Sequence, residues 1–228
     1  MEAVGAADSG TVRRPAGTSR LFVVYVAAFH LLWVAWPFLV YPRLTALGER
    51  TLRYALLNLA LRLLIWVAPV VAYLRWVDRV NPLHYLRLRG RVGRGLAVTA
   101  ALTLVNVAGM LLRFGPPHAS LDRVTWNSVL GTSFLVGFIE EVPYRGFMLQ
   151  KLGERVGFWR ANLATSLLFL SIHLPGWIAL GLLHAAPAIF VLVFSLIMGV
   201  AFRYAGSLWA PIVAHSANDC LSFVVFRL

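Results

Sequence analysis

A chain of 228 residues that is 60% hydrophobic and only 13% charged departs from the soluble norm of about half apolar and a quarter charged, and reads as one polytopic membrane domain. Its net charge of +12 comes from twenty arginines and one lysine, Lys151, against nine acids; the arginines flank apolar segments, and no basic, aromatic-studded soluble face exists for nucleic acid, so they read as topology determinants beside anionic headgroups. Cys220 is the only cysteine, which excludes an intramolecular disulfide and a cysteine-based zinc cluster.

Residues 1–20 are small and polar and read as a disordered cytosolic tail, leaving 21–228 as a single integral membrane domain. Leu21 to Tyr41 is long enough to span and is expected to be a retained signal anchor. The second span, about Tyr54 to Trp76, is interrupted by Arg62, which shares a helix face with Asn58 and either turns into the bundle toward a carboxylate or snorkels; packing inward is the expected choice. The connection that follows carries Arg75, Arg79, Arg87, Arg89, Arg91 and Arg94, with a break at Asn81-Pro82, and six arginines in a short loop place it in the cytosol.

The third span is about Leu96 to Phe114. A fourth ends near Leu152, and a fifth runs from about Phe158 to Leu174, closed by Pro175-Gly176. Trp177 to His184 is too short to cross and suits a re-entrant or interfacial piece. The sixth span covers Ala186 to Tyr204 and the seventh Leu208 to Phe226. The expected fold is therefore all-α, a transmembrane bundle of about seven to eight helices with a four-helix core at about 124–226 and a cytosolic N-terminus. The preference for arginine over lysine, with richness in Ala and Leu, accords with GC-rich codons and points to a bacterial inner membrane.

The costly residues lie in three of these spans. An ionised group at bilayer depth costs at least a few kcal/mol, so such residues mark pairs or sites. In Phe138-Ile139-Glu140-Glu141-Val142-Pro143-Tyr144-Arg145-Gly146, Arg145 lies four residues beyond Glu141, the favourable direction for an ion pair. That pairing would anchor the helix and leave Glu140, about a quarter-turn away, free as an acid or base. Pro143 removes the bond to the carbonyl of Ile139; this either opens a water pocket beside Glu140 or is an ordinary membrane-helix proline. His173 closes the fifth span, and His215 and Asp219 share a face of the seventh, with Asn218 turned aside. At about 1.5 Å per residue, Glu140 and His215 fall near mid-depth and His173 several ångströms further out.

A carboxylate with a histidine can activate water, and a second polar pair can stabilise an oxyanion, a combination suited to peptide hydrolysis without a covalent intermediate. No G-x-S-x-G surrounds Ser171 or Ser216, and no H-E-x-x-H appears. Zinc on two histidines and a carboxylate stays open as a variant.

Glu140-Glu141-x-x-x-Arg145-Gly146, Phe169-x-x-x-His173 and His215-x-x-x-Asp219, in that order, resemble the three motifs of the CPBP family of intramembrane proteases (CAAX proteases and bacteriocin-processing enzymes, or Abi). Gly199, Gly206-Ser207-Leu208-Trp209 and Pro211 add to the likeness, which covers about 124–226. The resemblance implies an endopeptidase acting on a membrane-anchored protein or peptide in the bilayer. Glu140 and His173 would activate water, Glu141 with Arg145 would hold the helix, and His215 with Asp219 would stabilise the oxyanion. No cofactor is implied, with zinc on Glu140, His173 and His215 as the variant. Pro143 is unusual in the first motif, and Asp219 stands where Asn is frequent. An ionised Asp219 would repel an oxyanion, so it would be protonated, orient His215 or bind a metal. A non-proteolytic immunity or assembly factor, and a proton-coupled transporter relaying through Glu140 and His215, are the competing readings.

Overall fold

The computed structural model describes residues 17–89, 92–117, 122 and 124–226; residues 1–16 of the expected tail lie outside them, and helix begins at Gly17. The described residues form an all-α bundle. Its α-helices are α1 Gly17–Ala35, α2 Tyr41–Thr45, α3 Leu52–Arg62, α4 Ala68–Ala72, α5 Pro82–Tyr85 and α6 Val92–Phe114. They continue with α7 Val136–Glu141, α8 Gln150–Val156, α9 Phe158–Ser171, α10 Leu174–Ala179, α11 Ala185–Ala205 and α12 Trp209–Cys220.

Several of these are segments of longer helices joined by wide, π-type turns, and prolines account for three of the joints. A proline has no N–H for the carbonyl four residues back, and its ring crowds that carbonyl. Widening the turn relieves the crowding and lets a later N–H reach back five residues. Pro37 lies in the wide turn Trp36–Val40, where the Tyr41 N–H bonds the Trp36 carbonyl. Pro69 follows the turn Leu63–Val67, where the Ala68 N–H bonds the Leu63 carbonyl. Pro143 sits at the start of the longest wide segment, Val142–Leu149, which joins α7 to α8. Caps do the rest: the Thr51 hydroxyl accepts from the Tyr54 N–H at 3.2 Å, and α11 stops at Gly206, whose φ of 66° suits a residue without a Cβ.

Among the described residues, five helices are long and apolar enough to cross a membrane: Arg20–Thr45, Leu52–Val77, Gly93–Leu112, Phe158–Ala179 and Ala185–Ala205. They correspond to the first, second, third, fifth and sixth expected spans. The first residues of the expected re-entrant piece instead extend the fifth helix through α10, leaving only 180–184 as a non-helical link. The remaining two expected spans differ for a physical reason. The fourth is broken by a wide turn at Ser128–Thr132 and a bend at 133–135 before α7 begins, and from Val136 to Leu149 every residue except Phe138 is buried. A helix sheathed by its neighbours needs no continuous lipid-facing surface, so its polar residues are spent inside. α12 packs against α6 and α7 and its continuation Leu221–Phe226 against α6, with Trp209, Val213 and Phe223 left exposed.

Around the central helix, α9 lies on α8 and α11, and α12 lies on α7 and α6. Lipid gives helices no hydrophobic reason to associate, so packing and interhelical polar bonds hold the bundle. Phe147 shows the first, with Phe22, Tyr25 and Tyr73 around it at centroid distances of 5.7, 5.0 and 5.0 Å, each such pair worth about 0.5–1.5 kcal/mol. Near the arginine-rich connection, Lys151 pairs with Asp78 and Gln150 donates to the Tyr85 carbonyl at 2.7 Å.

Candidate active site

Glu141 is fully buried, and one of its oxygens, Oε1, accepts from two partners: Arg145 Nη1 at 2.9 Å and His215 Nδ1 at 2.8 Å. The pair with Arg145 is the one the i,i+4 spacing demands. A buried ion pair repays its desolvation only when the leftover donors are also satisfied. Ser195 supplies that on α11: Arg145 Nη2 donates to its carbonyl at 2.9 Å and to its hydroxyl at 2.6 Å, while the guanidinium lies over the Phe169 ring at 4.7 Å. One carboxylate therefore ties α7 to α12 directly and to α11 through Arg145.

Glu140 is not free, contrary to the expectation from the i,i+4 pairing alone. Arg62, from α3, turns inward and places Nη2 3.2 Å from Glu140 Oε1, with side-chain exposures of 12% and 8%. Its Nη1 donates to the Gly131 carbonyl. The second oxygen, Oε2, lies 3.9 Å from His215 Nε2. Two neighbouring carboxylates thus face the two nitrogens of one imidazole, although a quarter-turn separates them on their own helix. The approach of α12 makes this possible. Gly137 leaves no room for a side chain, since a Cβ there would stand 2.6 Å from Ser216 Oγ and press on the Ile212 carbonyl.

The Nδ1–H of His215 donates to Glu141, which orients Nε2 toward Glu140 Oε2 and Asp219 Oδ1, the latter also at 3.9 Å. Asp219 is steadied by Asn218, whose amide donates to Oδ1 at 2.9 Å and accepts from Asn106 Nδ2 at 3.1 Å. Asn218 is therefore not turned aside, as helix geometry alone suggested, but bonded into the cluster from α6.

His173 comes to the same place by way of Phe169. The Phe169 ring lies 5.0 Å from the ring of His173 and 5.9 Å from that of His215. His173 Nδ1 lies 2.9 Å from the Phe169 carbonyl; a carbonyl can only accept, so Nδ1 carries a proton, and in the neutral ring Nε2 keeps its lone pair. The structure thus gathers Glu140, Glu141, Arg145, His215 and Asp219 into one bonded or near-contact cluster, with His173 on its edge. Tyr144 points elsewhere, its hydroxyl bonding Leu168 at 3.4 Å and His30 at 3.3 Å.

Pro143 opens the wide segment Val142–Leu149. A cavity of about 280 Å³ lies beside Arg62, lined by Trp33, Trp36, Trp66, Asn58 and Asn127 among others. Among the described residues no three His, Cys, Asp or Glu side chains are grouped to hold a metal.

Residue-level reasoning missed Ser195, Asn106 and the hub role of Phe169. None carries a charge, and a serine, an asparagine or a phenylalanine in a membrane helix attracts no notice by itself. Arg62 did carry a signal, a charge inside an apolar span.

Residues 122–221 match the family described as type II CAAX prenyl endopeptidase, Rce1-like. No curated protein and no solved structure matches the chain.

Proposed function

We propose, from the match of residues 122–221 to a CAAX endopeptidase family, that this integral membrane protein hydrolyses a peptide bond of a membrane-anchored protein or peptide without a metal. The observation that carries the reading is the pair of carboxylates around His215, one bonded to Nδ1 and the other 3.9 Å from Nε2. A scaffold does not need two buried acids aimed at one imidazole.

In this reading Glu140 Oε2 takes a proton from a water that His173 Nε2 also holds by its lone pair. The hydroxide oxygen bonds to the substrate carbonyl carbon, and the carbonyl π electrons move onto oxygen. That oxyanion is stabilised by a proton on His215 Nε2, whose ring is braced by Glu141, and by Asp219 in its protonated form. Collapse restores the carbonyl and breaks the C–N bond, and the proton on Glu140 leaves with the amine. Arg145 takes no part in these transfers; it holds Glu141 in place.

The family description names CAAX prenyl substrates. For a chain of bacterial composition, leader peptides or C-terminal sorting tags of surface proteins are the corresponding substrates, cut in the inner membrane. The arginine-rich connection faces the cytosol in this placement, as does the N-terminus. The test is comparative membrane proteomics of cells carrying the native protein or Glu140→Gln. An uncut precursor accumulates in the variant; full processing by Glu140→Gln, His173→Ala and His215→Ala alike would sink the proposal.

A further inference from the structure

We propose that Arg62, on a helix outside the matched region, is a positioning residue that selects which oxygen of Glu140 does the chemistry. The inference rests on the peptidase reading above.

A carboxylate on a two-torsion stem can present either oxygen to a reacting water, and a base that rotates freely spends most of its time misaligned. Arg62 removes that freedom. Its Nη2 occupies Oε1 at 3.2 Å, which leaves Oε2 as the oxygen facing His215 Nε2 at 3.9 Å. The guanidinium is itself held at a second point, because Nη1 donates to the carbonyl of Gly131.

That second point is rigid. Asn58 donates to Asn127 at 2.9 Å, and the pair lies so close over Gly131 that a Cβ there would be 2.7 Å from Asn127 Oδ1 and 3.0 Å from Asn58 Nδ2. Asn58 and Arg62 come from the same face of α3, so one helix locks the backbone at 131 and reaches past it to Glu140. The planar fork of an arginine spans two divergent acceptors at fixed angles; the compact ammonium of a lysine delivers charge without that geometry. Charge neutralisation alone would be met by either residue, whereas alignment needs the fork.

The experiment measures cleavage by the purified full-length protein in detergent or liposomes for Arg62→Lys, Arg62→Gln and Glu140→Gln, with a thermal melt on each. The substrate is the precursor identified by the proteomic comparison. Arg62→Gln is expected to lower kcat about 100-fold, the scale set by an ångström of misplacement, with KM within about threefold of the native value. Arg62→Lys is expected to melt like the native protein yet fall between the two in kcat. A folded Arg62→Lys with native kcat overturns the proposal, as does a loss confined to KM. An active Glu140→Gln overturns the peptidase reading and this proposal with it, whereas an inactive Glu140→Gln beside fully active Arg62 variants overturns the proposal alone.

Discussion

Gly137→Ala tests whether the site depends on how closely α12 approaches α7, and it does so without touching any titrating group. The added methyl would stand 2.6 Å from Ser216 Oγ and 3.1 Å from the Ile212 carbonyl carbon, whereas ordinary van der Waals contact begins at 3.4 Å. Most of the obstruction is backbone, which cannot swing aside as a side-chain tip can. Ser216 is also held, its hydroxyl donating to the Phe134 carbonyl at 2.6 Å. The Ile212 carbonyl oxygen stands closer still, so the two helices must part by about 1 Å, because a close-packed interior transmits such a strain rather than absorbing it. His215 rides on α12 next to Ser216, so its Nδ1 bond to Glu141, now 2.8 Å, stretches beyond hydrogen-bonding range. Overpacking of this kind costs about 1–3 kcal/mol of stability, and a misplacement near 1 Å costs about 100-fold in rate. Thermal unfolding in detergent and cleavage of the precursor read the two effects. A Gly137→Ala protein with native melting and native kcat would refute the claim that this contact sets the site.

Glu141→Gln removes the charge from a fully buried carboxylate that serves both Arg145 and His215. Leaving the guanidinium uncompensated costs about 3–5 kcal/mol, seen as a lowered unfolding midpoint; an unchanged midpoint would mean that Ser195 alone holds Arg145. Asp219→Asn keeps an oxygen that accepts from Asn218 and gains an amide that can donate to an oxyanion. Activity of native order is expected, and a loss of about 100-fold or more would show that the charge at 219 is required.

The all-α membrane fold, the approximate places of five long apolar helices and the ion pair of Glu141 with Arg145 were legible in the residues, because each depends on periodicity within one segment. The cost of charge in lipid also marked Glu140, Arg62, His215 and Asp219 without any knowledge of their partners. The partners themselves came from crossings that no local pattern encodes. Glu140 is bonded by a residue 78 positions away, His215 by one 74 away, and Asn218 by one 112 away. The break before α7 and the tract that is buried rather than lipid-facing were likewise invisible, since hydropathy reports composition and not what surrounds a helix. By itself the sequence determined which side chains could not be left in lipid. Only the packing of α12 against Gly137, and of α3 against Gly131, decided that both carboxylates would face one histidine and that the one taken as free would be held by Arg62, because distances between helices are set by the residues at their contacts and not by the charges they carry.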